Sequence, residues 1–376
     1  MHSAAPNPLL ELRKLGESVW LDDISRGMLE DGSLERLIKD DGLAGLTSNP
    51  SIFAHSIQND ARYAQPIAAL LPRVNSALEL YEELALEDLH EAATLLRPLY
   101  DSSDAGDGFV SFEVSPHLAY DAERSRAEAK RLWGRLNIPN AFIKIPATAS
   151  GVPVIRDLIA EGINVNVTLL FSPERYRAVG EAYIQGLRTR AAARLPLGSV
   201  SSVASFFLSR IDTAVDAQLD ALVARGQPAA RRLRGKAAIA SAARAYEVFE
   251  ELTASVEWQG LAAQGARPQR LLWASTSTKD PSFSPVKYVE ECIVPGSVNT
   301  MPLETLNTYR RVGRPELRLE RHLADGSDTR EGLERLGIDL EAVAAQLERE
   351  GVKKFIEPFD KLQQWLQAKR DAARAH

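Results

Sequence analysis

The strongest constraint on the fold is an alternation that runs the length of the chain, in which short β-like runs are separated by longer stretches of helical periodicity. The β-like runs are "SVWLDD", "GLTSNP", "GFVSFEVS", "AFIKIPA", "INVNVTLL", "VSSVASFFLS", "RLLWAST" and a weaker one near "GSVNTM". Between them, segments such as Ser76 to Tyr100, Ala119 to Leu136 and Pro173 to Arg190 space their apolar residues as one face of a helix does. "SPERYRAVGEAY" has the marks of a helix start: Ser172 can cap, Pro173 suits the first turn, and Glu174 meets the positive helix end. Strands alternating with helices imply a parallel sheet with right-handed crossovers. Eight such runs predict an α/β fold, a (β/α)8 TIM barrel with additional helices, and 376 residues suit an elaborated barrel. The expected organisation is a single domain over residues 1–376, with helical extensions at both ends of the barrel.

An open doubly wound sheet is the competing arrangement. It would carry a glycine-rich first turn, and "WLDDISRG" after the first strand lacks the G-x-G-x-x-G pattern. A P-loop is ruled out because Gly235 and Lys236 in "LRGKAAIA" are followed by alanine rather than Ser or Thr. The stretch after Arg314 alternates charged and apolar residues in helical fashion and reads as packing rather than chemistry.

The formal net charge of −6 leaves no electrostatic footprint for nucleic acid. No run approaches the length of a membrane span, and the first residues show no signal peptide. The single cysteine, Cys292, cannot form an intrachain disulfide and reads as a buried structural thiol. These features predict a cytoplasmic monomer or homodimer with no nucleic-acid or membrane partner. The histidines, His2, His55, His90, His117, His322 and His376, form no i, i+4 pair or ligand cluster, so neither a metal nor another cofactor is expected. His117 and Tyr120 follow Glu113 closely, and a helix-start role competes with a place near the site.

Within "AFIKIPAT", alternation puts Ala141, Ile143 and Ile145 on one face and Phe142 and Lys144 on the other. A lysine there is either a gatekeeper on an edge strand, a stem packed with its ammonium in water, or a nucleophilic amine. In a barrel the face toward the helices must be apolar, so polar faces look into the lumen. "INVNVTLL" sets Asn164, Asn166 and Thr168 opposite Ile163, Val165 and Val167, and "VSFEVS" sets Ser111 and Glu113 opposite Val110, Phe112 and Val114. "TSNPS" ends with Asn49, and "WLDD" with Asp22 and Asp23. Each acid or amide could cap a following helix. Gathered at the same height of successive strands, they favour a polar active site around Lys144.

An amine in such a site can attack a carbonyl to form an iminium, an electron sink for carbon–carbon cleavage. With an ordinary pKa of about 10.4, roughly one lysine in two thousand is neutral at pH 7, so desolvation or a proton acceptor must help. Glu113 with a water positioned by Thr168 suits the proton transfers, and Asp22 suits the hydroxyl proton of the leaving carbon.

The chain resembles the transaldolases, in their longer bacterial branch, through "WLDDISRG", "GLTSNPSIF", "VSFEVSPHLAYD", "FIKIPAT", "INVNVTLLFS", "SFFLSRID", "LWASTSTKDP" and "VNTMP", in this order over nearly its full length. The resemblance implies a class I aldolase-like barrel in which Lys144 forms a Schiff base with a ketose phosphate, without a cofactor. It assigns acid–base roles to Asp22 and Glu113, the latter through a water held by Thr168. Asn49 and Asn166 would hold substrate hydroxyls, and Ser205 and Arg210 would contact phosphate. One departure stands out: other branches place an arginine soon after the serine of the seventh strand, where this chain reads "ASTSTKD". Ser275 is present, and Lys279 is the nearest cation to replace the guanidinium. The implied activity is transfer of a dihydroxyacetone unit between sugar phosphates. A simpler aldolase that releases free dihydroxyacetone is the alternative, and a catalytically silent sugar-phosphate-binding barrel is a third reading.

Overall fold

The computed structural model describes residues 7–374. Its strands are β1 Ser18–Asp22, β2 Gly45–Thr47, β3 Val110–Glu113, β4 Ala141–Pro146, β5 Val165–Leu170, β6 Ser202–Phe207, β7 Arg270–Ala274 and β8 Val298–Met301. All neighbours are parallel, in the order β2-β1-β8-β7-β6-β5-β4-β3. The ring closes between β2 and β3 through a parallel bridge of Gly45 with Phe109. There Leu46 N donates to Phe109 O at 2.8 Å and Gly108 N to Ala44 O at 2.7 Å. The alternation of strands and helices therefore resolves into the expected (β/α)8 barrel.

The helices begin where their caps allow. Ser172 accepts from Arg175 N ahead of Pro173–Ala192, and Ser76 accepts from Glu79 N ahead of Ala77–Ser102. The helix anticipated from Ala119 starts only at Ala122, because Pro116–Leu118 form a 3-10 turn and Asp121 supplies the cap. Pairing in "INVNVTLL" begins at Val165 rather than Ile163. Asn164, just before it, bridges instead: its Nδ2 donates to Pro139 O and Ala141 O, and its Oδ1 accepts from Ser201 N.

The lumen is layered. Toward the N-terminal ends of the strands, Trp20, Phe109 and Phe142 pack ring against ring, with centroids 4.3 to 6.3 Å apart. This apolar plug fills one end of the barrel and leaves polar side chains to the other, where active sites of such barrels lie.

The long helix Leu340–Arg374 buries Val343, Leu347, Val352, Phe355, Phe359, Leu362 and Leu366. It packs on helix Pro50–Asn59, on helix Ala77–Ser102 and on β5. Phe359 meets Tyr81 edge-on at 5.7 Å, and His117 Nε2 lies 2.6 Å from Asp360 Oδ1. Gly351 sits so close to β5 that a Cβ there would lie 2.8 Å from Leu169 Cδ2.

Candidate active site

Register puts Lys144 between the residues its chemistry would need. On β4 it pairs with Glu113 of β3 on one side and Asn166 of β5 on the other. Its side chain is 4 % exposed and lines a cavity in the lumen, so it points inward, away from Ile143 and Ile145. Its Nζ donates to the Ser48 carbonyl at 2.8 Å and lies 3.6 Å from Glu113 Oε2, an ion-pair distance but too long for a hydrogen bond.

Glu113 is buried, and neither of its carboxylate oxygens has a hydrogen-bond partner among the described residues. Burial pushes its pKa up to about 7, against the pull of the Lys144 charge and with a further push from Asp22. Asp22, at the end of β1, is raised by burial, which outweighs the attraction of Lys144 and the hydrogen bond from Thr47. That bond runs from Thr47 Oγ1 to Asp22 Oδ1 at 2.7 Å, and Thr47 Oγ1 is also 2.7 Å from Thr300 Oγ1. The Asp22 carboxylate is thus held in one orientation from β2 and β8.

Asn166 is fixed from both sides. Its Nδ2 donates to Ser111 Oγ at 3.1 Å and its Oδ1 accepts from Ser205 Oγ at 2.7 Å. Two positions up β5, Thr168 Oγ1 is buried with no hydrogen-bond partner among the described residues. An extra residue follows on β5, where the register with β6 shifts and Leu169 adopts φ 56°. Asn49 spends its Oδ1 on the backbone N–H groups of Ser51 and Ile52, the cap of helix Pro50–Asn59. Capping and a place in the cavity wall prove compatible for this residue.

Two further cationic residues, Arg210 and Lys279, line the cavity. The Arg210 guanidinium lies 5.5 Å over the Phe207 ring, and its Nη1 has no partner among the described residues. Burial lowers its pKa from the ordinary arginine value, against Asp22 and Glu350. Ser275, the residue after β7, has φ 54° and its Oγ lies 2.9 Å from Ser209 Oγ. Lys279 is exposed and donates to Ser277 Oγ at 2.7 Å.

The cavity enclosed by these groups has a volume of about 180 Å³. Asp22, Asn49, Lys144, Thr168, Ser205, Arg210, Ser275 and Lys279 all line it. Glu113 and Asn166 do not: Glu113 reaches the cavity through Lys144, and Asn166 is held by Ser205 behind the wall. Thr47, Phe207, Ala274, Ser277, Thr300, Pro302 and Phe355 complete the lining and were missed from sequence. Thr47 and Thr300 had a signal, since both lie in quoted strand-end motifs. Phe355 had none, because it belongs to a helix more than two hundred residues beyond Lys144.

Larger cavities open elsewhere. One of about 440 Å³ at the N-terminal end of the barrel includes Arg270, but the donors of that residue are taken up by Asp107, Ser18 and backbone carbonyls. Size therefore does not mark the chemistry here. The described histidines are engaged outside the cavity: His55 with Asn59, His90 with backbone carbonyls, His117 with Asp360 and His322 with Glu291. His2 and His376 lie outside the described residues. Tyr120 is exposed and Cys292 is buried.

Comparison with known proteins fits this geometry. The family model for Transaldolase/Fructose-6-phosphate aldolase matches residues 19–366. The chain belongs to this family. Among its relatives, Transaldolase from Acidothermus cellulolyticus is 46% identical over 351 residues, covering 93% of each chain. Transaldolase 2 from Nostoc sp. is 42% identical over 373 residues, 97% of this chain and 98% of that one. Transaldolase from Saccharopolyspora erythraea is 44% identical over 366 residues, 96% and 98% respectively. The family match runs from the second residue of β1 past the end of β8.

Proposed function

We propose that the protein, as one barrel with helical extensions, is a transaldolase that moves a dihydroxyacetone unit from sedoheptulose 7-phosphate to glyceraldehyde 3-phosphate. The products are erythrose 4-phosphate and fructose 6-phosphate. The observation that carries this reading is the inward Lys144, in register with Glu113 and Asn166 and lining one cavity with Asp22.

Lys144 Nζ attacks the C2 carbonyl of the donor, and the carbinolamine loses water to give the iminium. Glu113, 3.6 Å from Nζ, is placed to take the proton that the amine must shed before it attacks. A carboxyl with pKa about 7 then both gives and accepts protons near neutrality. Thr168, whose hydroxyl has no other partner among the described residues, suits a water between Glu113 and the substrate. Asp22 removes the C4 hydroxyl proton, the C3–C4 bond breaks, and its electrons pass into the iminium to form an enamine. Erythrose 4-phosphate leaves; the enamine attacks the aldehyde carbon of the acceptor, and Asp22 returns the proton. Hydrolysis of the new iminium frees fructose 6-phosphate and the amine.

Asn49 holds hydroxyls near the reacting carbons, and Asn166, behind the cavity wall, does so through Ser205, which the resemblance set at the phosphate but whose hydroxyl is spent on Asn166. Arg210, Ser275 and Lys279 receive the phosphate. Lys279 supplies a point charge where other branches use a planar fork, and Ser277 sets its position.

Borohydride reduction in the presence of fructose 6-phosphate tests the assignment. One three-carbon adduct per chain on Lys144 is expected, and Lys144→Met is expected to abolish both adduct and turnover. An adduct on another residue, or turnover in the Lys144→Met variant, overturns it.

A further inference from the structure

The cavity wall is built from strand ends, the loops that follow them and, at Arg210, the first turn of helix Ser209–Ala224, with Phe355 alone coming from outside the barrel's own repeats. Phe355 comes from the Leu340–Arg374 helix, which follows the last barrel strand by some forty residues. It is 5 % exposed and shares the lining with Thr168, Phe207 and Arg210. One helical turn earlier, Gly351 lies against Leu169. Leu169 directly follows Thr168 and holds φ 56° at the β5 bulge, a conformation costly for a branched residue without outside support. The same helix thus braces the strand that carries Thr168 and inserts an aromatic ring into the cavity beside it. His117 against Asp360, and Tyr81 against Phe359, fasten the helix one to two turns further on.

We infer that Phe355 is a positioning residue that decides whether the bound three-carbon unit is transferred or lost to water. The inference rests on the Schiff-base reading above. After the first aldehyde leaves, the enamine on Lys144 has two fates. It can attack the acceptor aldehyde, or its C3 can take a proton to regenerate the iminium. Water then adds at C2, the nitrogen gains a proton, the C–N bond breaks, and dihydroxyacetone leaves from the free amine. Both fates need an open path to the cavity and both end with water adding at C2, but only the second needs a proton at C3, which a water standing in the space vacated by the first aldehyde would deliver. An apolar ring in a wall otherwise rich in hydroxyls, amides and charges removes hydrogen-bonding positions for such a water. Asp22, Thr47 and Thr168 on the strand ends offer no apolar cover, and Phe207, the other ring in the wall, has the Arg210 guanidinium 5.5 Å over its face.

The experiment compares unaltered protein, Phe355→Ala and Phe355→Leu, each as the full chain with fructose 6-phosphate as donor. Dihydroxyacetone release without acceptor is measured against transfer to glyceraldehyde 3-phosphate, and borohydride trapping reports the adduct on Lys144. Phe355→Ala is expected to raise the ratio of release to transfer at least tenfold while still forming the adduct, and Phe355→Leu is expected to bring the ratio most of the way back. A merely structural role would lower both rates together and leave the ratio in place. The same ratio in all three trapped proteins overturns the inference, whereas absence of an adduct in the unaltered protein overturns the Schiff-base reading instead.

Discussion

Two buried glutamates show how a single neighbour divides function from structure. Glu113 and Glu17 are both removed from solvent, and burial raises both, to about 7 and about 8 respectively. Glu113 has an ammonium 3.6 Å away and a cavity beyond it. Glu17 has Ser297 Oγ donating to its Oε2 at 2.9 Å, while Oε1 has no partner among the described residues. Only the first can exchange its proton with a reacting group. The second affects folding, with a definite sign: its folded pKa lies above the ordinary 4.5, so its stabilising contribution is complete below about pH 4.5 and is lost as pH rises through about 8. The shift corresponds to a loss of about 5 kcal/mol across that window. Glu17→Gln, which stays neutral, is expected to melt progressively higher than the unaltered protein between about pH 5 and about pH 9. Thermal unfolding of both across that range is the check, and a melting difference that stays constant contradicts the assignment.

At the scale of elements, glycines report how closely the pieces approach the strand that carries the lysine. Gly151 opens the helix after β4, and a Cβ there would lie 1.9 Å from the carbonyl oxygen of Pro146, the last residue of that strand. Backbone cannot yield as a side-chain tip does, so Gly151→Ala is expected to destabilise the fold by about 2 to 4 kcal/mol and to lower kcat by displacing β4. Gly134 sits exposed within helix Ala122–Leu136 with nothing within 4 Å of the corresponding position. Gly134→Ala is expected to stabilise by about 0.5 to 1 kcal/mol and to leave kcat unchanged. Denaturant titration and steady-state rates on the pair separate the two effects; equal stability changes would show that the helix does not press on the strand. Neither contact was legible in sequence, where both glycines look like ordinary helix residues. The strands and their facing were legible because one face of each must be apolar, which placed Lys144, Asn166 and Thr168 inward before any contact was known. Backbone irregularity was not legible: the left-handed Leu169 arises from a register shift between β5 and β6, and neither strand reveals its partner's spacing. Asn49 shows the converse difficulty, since capping and substrate contact favour the same residue type at the same place.

For the whole molecule, closure is the property that alternation implies but does not locate. Most strand pairs share three to five paired positions, whereas β2 and β3 meet through one bridge. Such a seam would be the weakest line in the barrel, except that side chains cross it. Ser48 Oγ donates to Ser111 O at 2.6 Å, and Lys144 Nζ donates to Ser48 O at 2.8 Å. The lysine proposed to bond the substrate therefore also ties the loop after β2 to β4, over β3. The C-terminal helix adds a second tie, because it packs on the helix that follows β2 as well as on β5. Sequence gave this helix a packing role; the structure adds that what it packs includes the cavity. Local opening starts where backbone hydrogen bonds are fewest, so the amides of Leu46 and Gly108 at the seam are expected to exchange at least tenfold faster than those of Ile143 and Ala147, which lie in the β4–β5 ladder. Lys144→Met removes the tie to Ser48, and in that variant the seam amides are expected to exchange faster still while Ile143 and Ala147 hold. Hydrogen exchange resolved to single amides measures both comparisons. Uniform protection around the ring would mean that the barrel opens as one unit, and that the lysine has no part in keeping it closed.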